Sequence, residues 1–107
     1  MDHLLVITTC PDTACAEGLA DHLVREHLAA CVNQLPGVRS TYEWQGQVTS
    51  DQEVLLLIKT RADAWERLEA AIKSRHPYQV PELIALPIVR GSADYLNWIN
   101  SLVERNP

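Results

Sequence analysis

Three short runs of this 107-residue chain are apolar at every position: Leu4-Leu5-Val6-Ile7, Val54-Leu55-Leu56-Leu57-Ile58 and Leu83-Ile84-Ala85-Leu86. A β-strand sends successive side chains to opposite faces. Each run therefore offers oily groups to both sides of a sheet, whereas strands of a sheet with one wet face alternate. Leaving roughly five aliphatic side chains in water would forgo about 1.5–3 kcal/mol each. That total compares with the whole stability of a domain, about 5–15 kcal/mol. A chain this short buries only part of its own apolar surface. The second face must be shielded by a helix of the same chain or, as expected here, by sister copies packed sheet against sheet.

The rest of the pattern supplies the elements. His3 to Cys10 reads as a strand, and Pro11-Asp12-Thr13 as a helix start with Asp12 or Thr13 as the cap. Ala16, Leu19, Ala20, Leu23, Val24 and Leu28 form a stripe at helical spacing. Ala30 to Leu35 predicts a second strand, bent at Pro36-Gly37 and resumed from Val38 to Trp44. Gln45-Gly46-Gln47 and Ser50-Asp51 mark turns of a hairpin, and Glu53 to Lys59 is the central strand. Ala62 to His76 predicts a helix with Trp65, Leu68 and Ile72 inward, stopped by Pro77. Glu82 to Val89 reads as a fourth strand that Pro87 confines to an edge or a bulge. Gly91-Ser92 opens a last helix with Tyr95, Trp98, Ile99, Leu102 and Val103 on its apolar side. Residues 1–107 then form one α+β domain, a split βαβ or ferredoxin-like antiparallel sheet with an added C-terminal helix.

Composition narrows the function. The 9 basic residues are scattered and outnumbered by 14 acidic ones. Nucleic acid and anionic membranes are poor partners for such a surface. No run approaches the ~20 apolar residues of a membrane span. The start of the chain lacks the basic segment of a secretory signal. Three cysteines, Cys10, Cys15 and Cys31, are an odd count without regular spacing and do not read as a disulfide framework. Reduced thiols in the cytoplasm are expected.

No zinc-binding, phosphate-cradling or nucleophile-elbow motif occurs, so an enzyme is not expected. Cys10 stands between a strand and a helix start, where a thiolate can bind soft metals, or simply fills a half-buried apolar position. His76 closes a helix, either as a partner of its C-terminal dipole or as a metal ligand. Tyr42 and Trp44 share a strand face, which suits an interface, a ligand platform or the core. Lys59 at a strand end is either an anion-binding group or a solvated lysine.

Several blocks resemble one family. Thr8-Thr9-Cys10-Pro11-Asp12, Leu28 to Pro36, Ser40-Thr41-Tyr42-Glu43-Trp44-Gln45-Gly46, Glu53 to Thr60, His76-Pro77-Tyr78-Gln79-Val80-Pro81-Glu82 and Tyr95-Leu96-Asn97-Trp98-Ile99 are similar to the motifs of the CutA divalent-cation tolerance family, in order and over nearly the whole chain. The resemblance implies a homotrimer of ferredoxin-like subunits in the cytoplasm, linked to tolerance of divalent cations and of copper (Cu2+) especially. His76 matches the histidine before Pro-Tyr in the family motif. Some members carry a His-His pair there and a thiol on the first strand. Here Arg75 replaces the first histidine, and the nearest sulfur is Cys10. His76 and Cys10 are thus the candidate metal ligands. The alternative is a module like the trimeric PII signalling proteins, with a small ligand in intersubunit clefts lined by Tyr42, Trp44, Tyr78 and Glu82.

Overall fold

The computed structural model describes residues 2–103. Its elements are β1 (His3–Cys10), α1 (Thr13–Arg25), β2 (Cys31–Trp44), β3 (Gln47–Arg61), a 3-10 turn (Ala62–Ala64), α2 (Trp65–Arg75), β4 (Leu83–Pro87) and α3 (Ala93–Leu102). The strands form a four-stranded sheet in the order β2-β3-β1-β4, with every neighbouring pair antiparallel. This is the α+β, ferredoxin-like arrangement expected from the order of elements.

Local chemistry explains the boundaries. The Asp12 carboxylate accepts from the Cys15 amide at 2.8 Å and caps α1. α1 ends with His27 in the left-handed region, φ 58°. The Leu28 amide then reaches the Leu23 carbonyl at 2.9 Å, and the His27 amide reaches Val24 at 3.1 Å. That double bond pattern reverses the chain. Leu28, expected on the helical stripe, lies beyond the helix and still enters the core. Pro36-Gly37 appears as a register irregularity between Leu35 and Val38, with Gly37 at φ 78°. The hairpin turns on Gln45-Gly46 alone, with φ of 51° and 79°. Ser50 and Asp51, read as turn residues, are instead paired inside β3 with Thr41 and Ser40. The second helix starts as a 3-10 turn and stops at Arg75, one residue short of the expected end. β4 is shorter than predicted and lies at the sheet edge, where Pro87 lacks no needed donor. Ser92 caps α3 by accepting from the Tyr95 amide at 3.2 Å.

α1 and α2 cover one face of the sheet. Val6, Leu56 and Ile58 point into it and meet Leu23, Leu68 and Ile72, all fully buried. On the other face the register places Ile7 between Leu57 and Ile84, and Leu5 between Lys59 and Leu86. α3 reaches only one end of this side, where Ile99 and Val103 pack with Ala30 and Ala64. His3 Nε2 and Asn100 Oδ1 hydrogen-bond there at 2.9 Å. Ile84 stays 52% exposed, Leu86 44% and Leu35 39%, so the last helix does not close the face. Tyr95 and Trp98, expected on the packed side of α3, are exposed and lean on each other at 5.6 Å.

Candidate functional site

Pro77 cannot continue α2, so His76 turns extended, φ −78° and ψ 136°, and a loop runs from Pro77 to Glu82. The loop faces the outer part of β2. Between them opens a cleft of about 760 Å³, lined by Ser40, Thr41, Tyr42 and Trp44 on one side and Pro77 to Glu82 on the other. Thr9 and Glu53 also line it.

The loop is pinned at three points. His76 Nε2 lies 2.6 Å from the Thr9 carbonyl oxygen, and the Tyr78 amide lies 3.1 Å from His76 Nδ1. A carbonyl only accepts and an amide N–H only donates. The buried ring is therefore the neutral tautomer with its proton on Nε2. The Tyr78 hydroxyl donates to Glu53 Oε2 at 2.8 Å, and its ring tilts against His76 at 4.8 Å. Thr8 Oγ1 donates to the Glu82 carbonyl at 2.6 Å and holds the far end of the loop. Burial, then the bond to the Glu53 carboxylate, push the Tyr78 hydroxyl well above its ordinary pKa of 10.0. Across the hairpin the Tyr42 hydroxyl donates to Asp51 Oδ2 at 2.5 Å, and that bond raises its pKa as well.

The structure thus brings together Tyr42, Trp44, Tyr78 and Glu82, four of the residues singled out from sequence. It excludes Lys59. β3 runs on to Arg61, so Lys59 is inside a strand rather than at its end. It lies six residues from Glu53, about 20 Å along the strand. Its Nζ donates to Asn33 Oδ1 and sits 3.8 Å from Cys31 Sγ.

Within one chain the Cys10 side chain does not line the cleft beside His76. It is fully buried on the helix-covered side, packed with Val6, Val54 and Leu56. Burial, then a hydrogen bond with Cys15 and nearby negative charge, push its thiol from 9.0 up to about 12. The expected help from the helix start is outweighed by desolvation. His76 touches the carbonyl of Thr9, the residue before Cys10, and both its ring nitrogens are already engaged. Among the described residues no group of three or more His, Cys, Asp or Glu is placed to hold a metal. The described residues of one chain therefore show no cluster of three such ligands ready for a metal.

Glu53 was not singled out as a cleft residue by the sequence. It is only 7% exposed and unites the loop with the central strand. A lone acid at the start of an apolar strand carries no local sign of its partner, which comes from the loop after α2.

No helix among the described residues is long and apolar enough to cross a membrane. Residues 4–102 match the family model described as CutA1 divalent ion tolerance protein. A divalent-cation tolerance protein CutA of Thermus thermophilus is 50% identical over 95 residues, covering 89% of this chain and 92% of that protein. The crystal structure of CutA1 from Oryza sativa superposes with a TM-score of 0.97 at 40% identity, over 99% of this chain and 97% of that one. A structure from Archaeoglobus fulgidus, named as a periplasmic divalent cation tolerance protein CutA, superposes with a TM-score of 0.93 at 34% identity, over 95% and 99% of the two chains. These names favour the cation-tolerance reading over the signalling alternative. With its fold and nearly its whole length matched, the chain belongs to the CutA1 divalent ion tolerance protein family.

Proposed function

We propose that the protein serves divalent-cation tolerance without turnover, as a cytoplasmic homotrimer that binds a divalent cation, Cu2+ foremost, at the cleft beside His76. The cation is cargo rather than a resident cofactor. The observation that carries this reading is the convergence of one imidazole and one buried carboxylate, His76 and Glu53, on the same short loop. Imidazole and carboxylate donors suit borderline cations such as Cu2+. Glu82 and Asp51 add negative charge near the rim. The lone pair a cation would compete for is that of His76 Nδ1, now taken by the Tyr78 amide. Cys10 faces the other side of the sheet and joins such a site only if the end of β1 opens. The exposed Ile84, Leu86 and Leu35 support assembly, since the face they form is the one α3 leaves uncovered.

Calorimetric titration with Cu2+ of the wild type, His76→Ala, Glu53→Gln and Cys10→Ala tests the assignment. Binding should weaken by about 10-fold or more in the first two variants and stay nearly unchanged in Cys10→Ala. Equal affinity in all four proteins would remove the cleft from the reading. A small organic ligand that raises the melting temperature where Cu2+ does not would favour the signalling alternative.

A further inference from the structure

The cleft between β2 and the loop after α2 holds more than a metal ion needs. Its volume of about 760 Å³ lies in the range of pockets for small organic molecules. One water takes about 30 Å³ in the liquid, so a bare ion leaves nearly all of the space empty. Carbon lines most of it. Tyr42 and Trp44 share one face of β2, and Pro77, Tyr78, Val80 and Pro81 stand on the loop opposite. Tyr42, Trp44 and Tyr78 keep 41%, 44% and 36% of their surface exposed, so broad ring surface is left to a ligand. The charge has one sign. Glu53 and Glu82 line the cleft, and among its described lining residues there is no lysine, arginine or histidine. Tyr78 takes Oε2 of the largely buried Glu53, and among the described residues no group bonds its Oε1. Glu53 and Asp51 act electrostatically on the hydroxyls of both Tyr42 and Tyr78, so their negative field spans the aromatic walls.

We propose that the cleft binds a small primary amine in its ammonium form, with an aromatic body held between the Tyr42–Trp44 face and the loop, and its N–H donated to Glu53. An ammonium is attracted to ring faces as well as to carboxylates. Its hydrogen bond to Glu53 is charge-assisted, roughly twice as strong as a neutral one. A neutral ring of the same shape gains the walls but forgoes that bond. An anion meets Glu53 and Glu82 and is repelled. The inference goes beyond the divalent-cation reading and does not rest on it. It uses the walls that a metal ion leaves empty, and shares only Glu53 with that reading.

Calorimetric titration with phenethylamine, phenethyl alcohol and phenylacetate tests it, since the three share a ring and differ in charge. The amine should bind about 10-fold more tightly than the alcohol, and phenylacetate should not bind. Glu53→Gln should bring amine and alcohol to similar affinities. Trp44→Ala should weaken the amine by about 5-fold. Trp44 is exposed on the hairpin, so this second variant keeps the fold if Glu53→Gln does not. No amine binding to wild type, equal affinity for amine and alcohol, or unchanged amine binding in Trp44→Ala would overturn the proposal. Trp44→Ala should also keep wild-type affinity for Cu2+. A wild type that takes Cu2+ but no amine refutes this inference alone, and one that takes the amine but no Cu2+ refutes the divalent-cation reading alone.

Discussion

Glu53 and Tyr78 stand 25 residues apart in the chain and share one hydrogen bond of 2.8 Å from hydroxyl to carboxylate. It joins the central strand to the loop that α2 releases at His76. Two further bonds, to Thr9 and within the loop, fix the same segment. The wall of the cleft is therefore set by long-range pairing rather than by the loop's own turn chemistry.

Tyr78→Phe removes the donor and leaves the Glu53 carboxylate in its buried place. It should cost about 1.5–3 kcal/mol, the range for hydrogen bonds to charged groups. Glu53→Gln keeps an acceptor and should cost less. Urea unfolding at fixed protomer concentration measures both. A Tyr78→Phe protein within about 0.5 kcal/mol of wild type would show that the bond contributes nothing.

Alkaline pH should destabilise the protein through Cys10. The folded state holds this thiol protonated up to about 12, against 9.0 for the free group. Above pH 9 the unfolded chain releases its proton first, so stability falls as pH rises. The contribution is fully present below about pH 9 and gone above about pH 12. Tyr78 and Tyr42 shift in the same direction. The informative quantity is thus the difference between wild type and Cys10→Ala. Unfolding midpoints of Cys10→Ala should fall less steeply over that window, and parallel curves would contradict the assignment.

Charge on the open sheet face should dissociate the proposed trimer. Ile84 and Leu86 flank Ile7 and Leu5 on the side without α1 and α2. Ile84→Lys with Leu86→Asp alters exposed positions of one chain, so the fold should survive in circular dichroism. Sedimentation should then shift from about three times the 12.0 kDa chain mass to one. Identical sedimentation of the two proteins would mean that this face is not the interface.

The hairpin turn is open to improvement. Gln45 and Gly46 both have positive φ, a two-residue turn that favours Asn-Gly. Gln45→Asn should stabilise by up to about 1 kcal/mol. Gly46→Ala should destabilise by about 1–2 kcal/mol, through the backbone alone, because a Cβ there meets no atom within 4 Å. Thermal melts of the two variants should move in opposite directions.

The sequence placed the elements well wherever one period dominated. β1 matches the predicted bounds, and the Pro36-Gly37 bend falls where expected. Ser50-Asp51 misled because polar residues in the outer part of β3 face solvent on an arm with no core to mark the strand. Lys59 misled because apolar continuity ends before hydrogen-bond pairing does, and the ladder continues through Thr60 and Arg61. In the cleft, the aromatic residues were legible from a shared strand face and a loop motif. The roles of Glu53 and Thr9 were not, since each depends on a partner brought from elsewhere by the sheet. The burial of Cys10 on the helix side was likewise hidden, because a two-faced apolar run does not say which parity faces inward.

Among the described residues the outer half of the β2–β3 hairpin, from Val38 to Glu53, has no strand partner but its own other half. Cross-strand links such as the Thr41–Ser50 hydroxyl pair at 2.8 Å are what it has in place of a hydrophobic underside. Two strands alone are marginal in water. Among the described residues one wall of the cleft is thus carried by an arm without a third strand, while the opposite wall is hydrogen-bonded to the sheet. A ligand that bridges the two walls should make the arm stiffer, and amide exchange along Ser40–Trp44 should slow in step with occupancy.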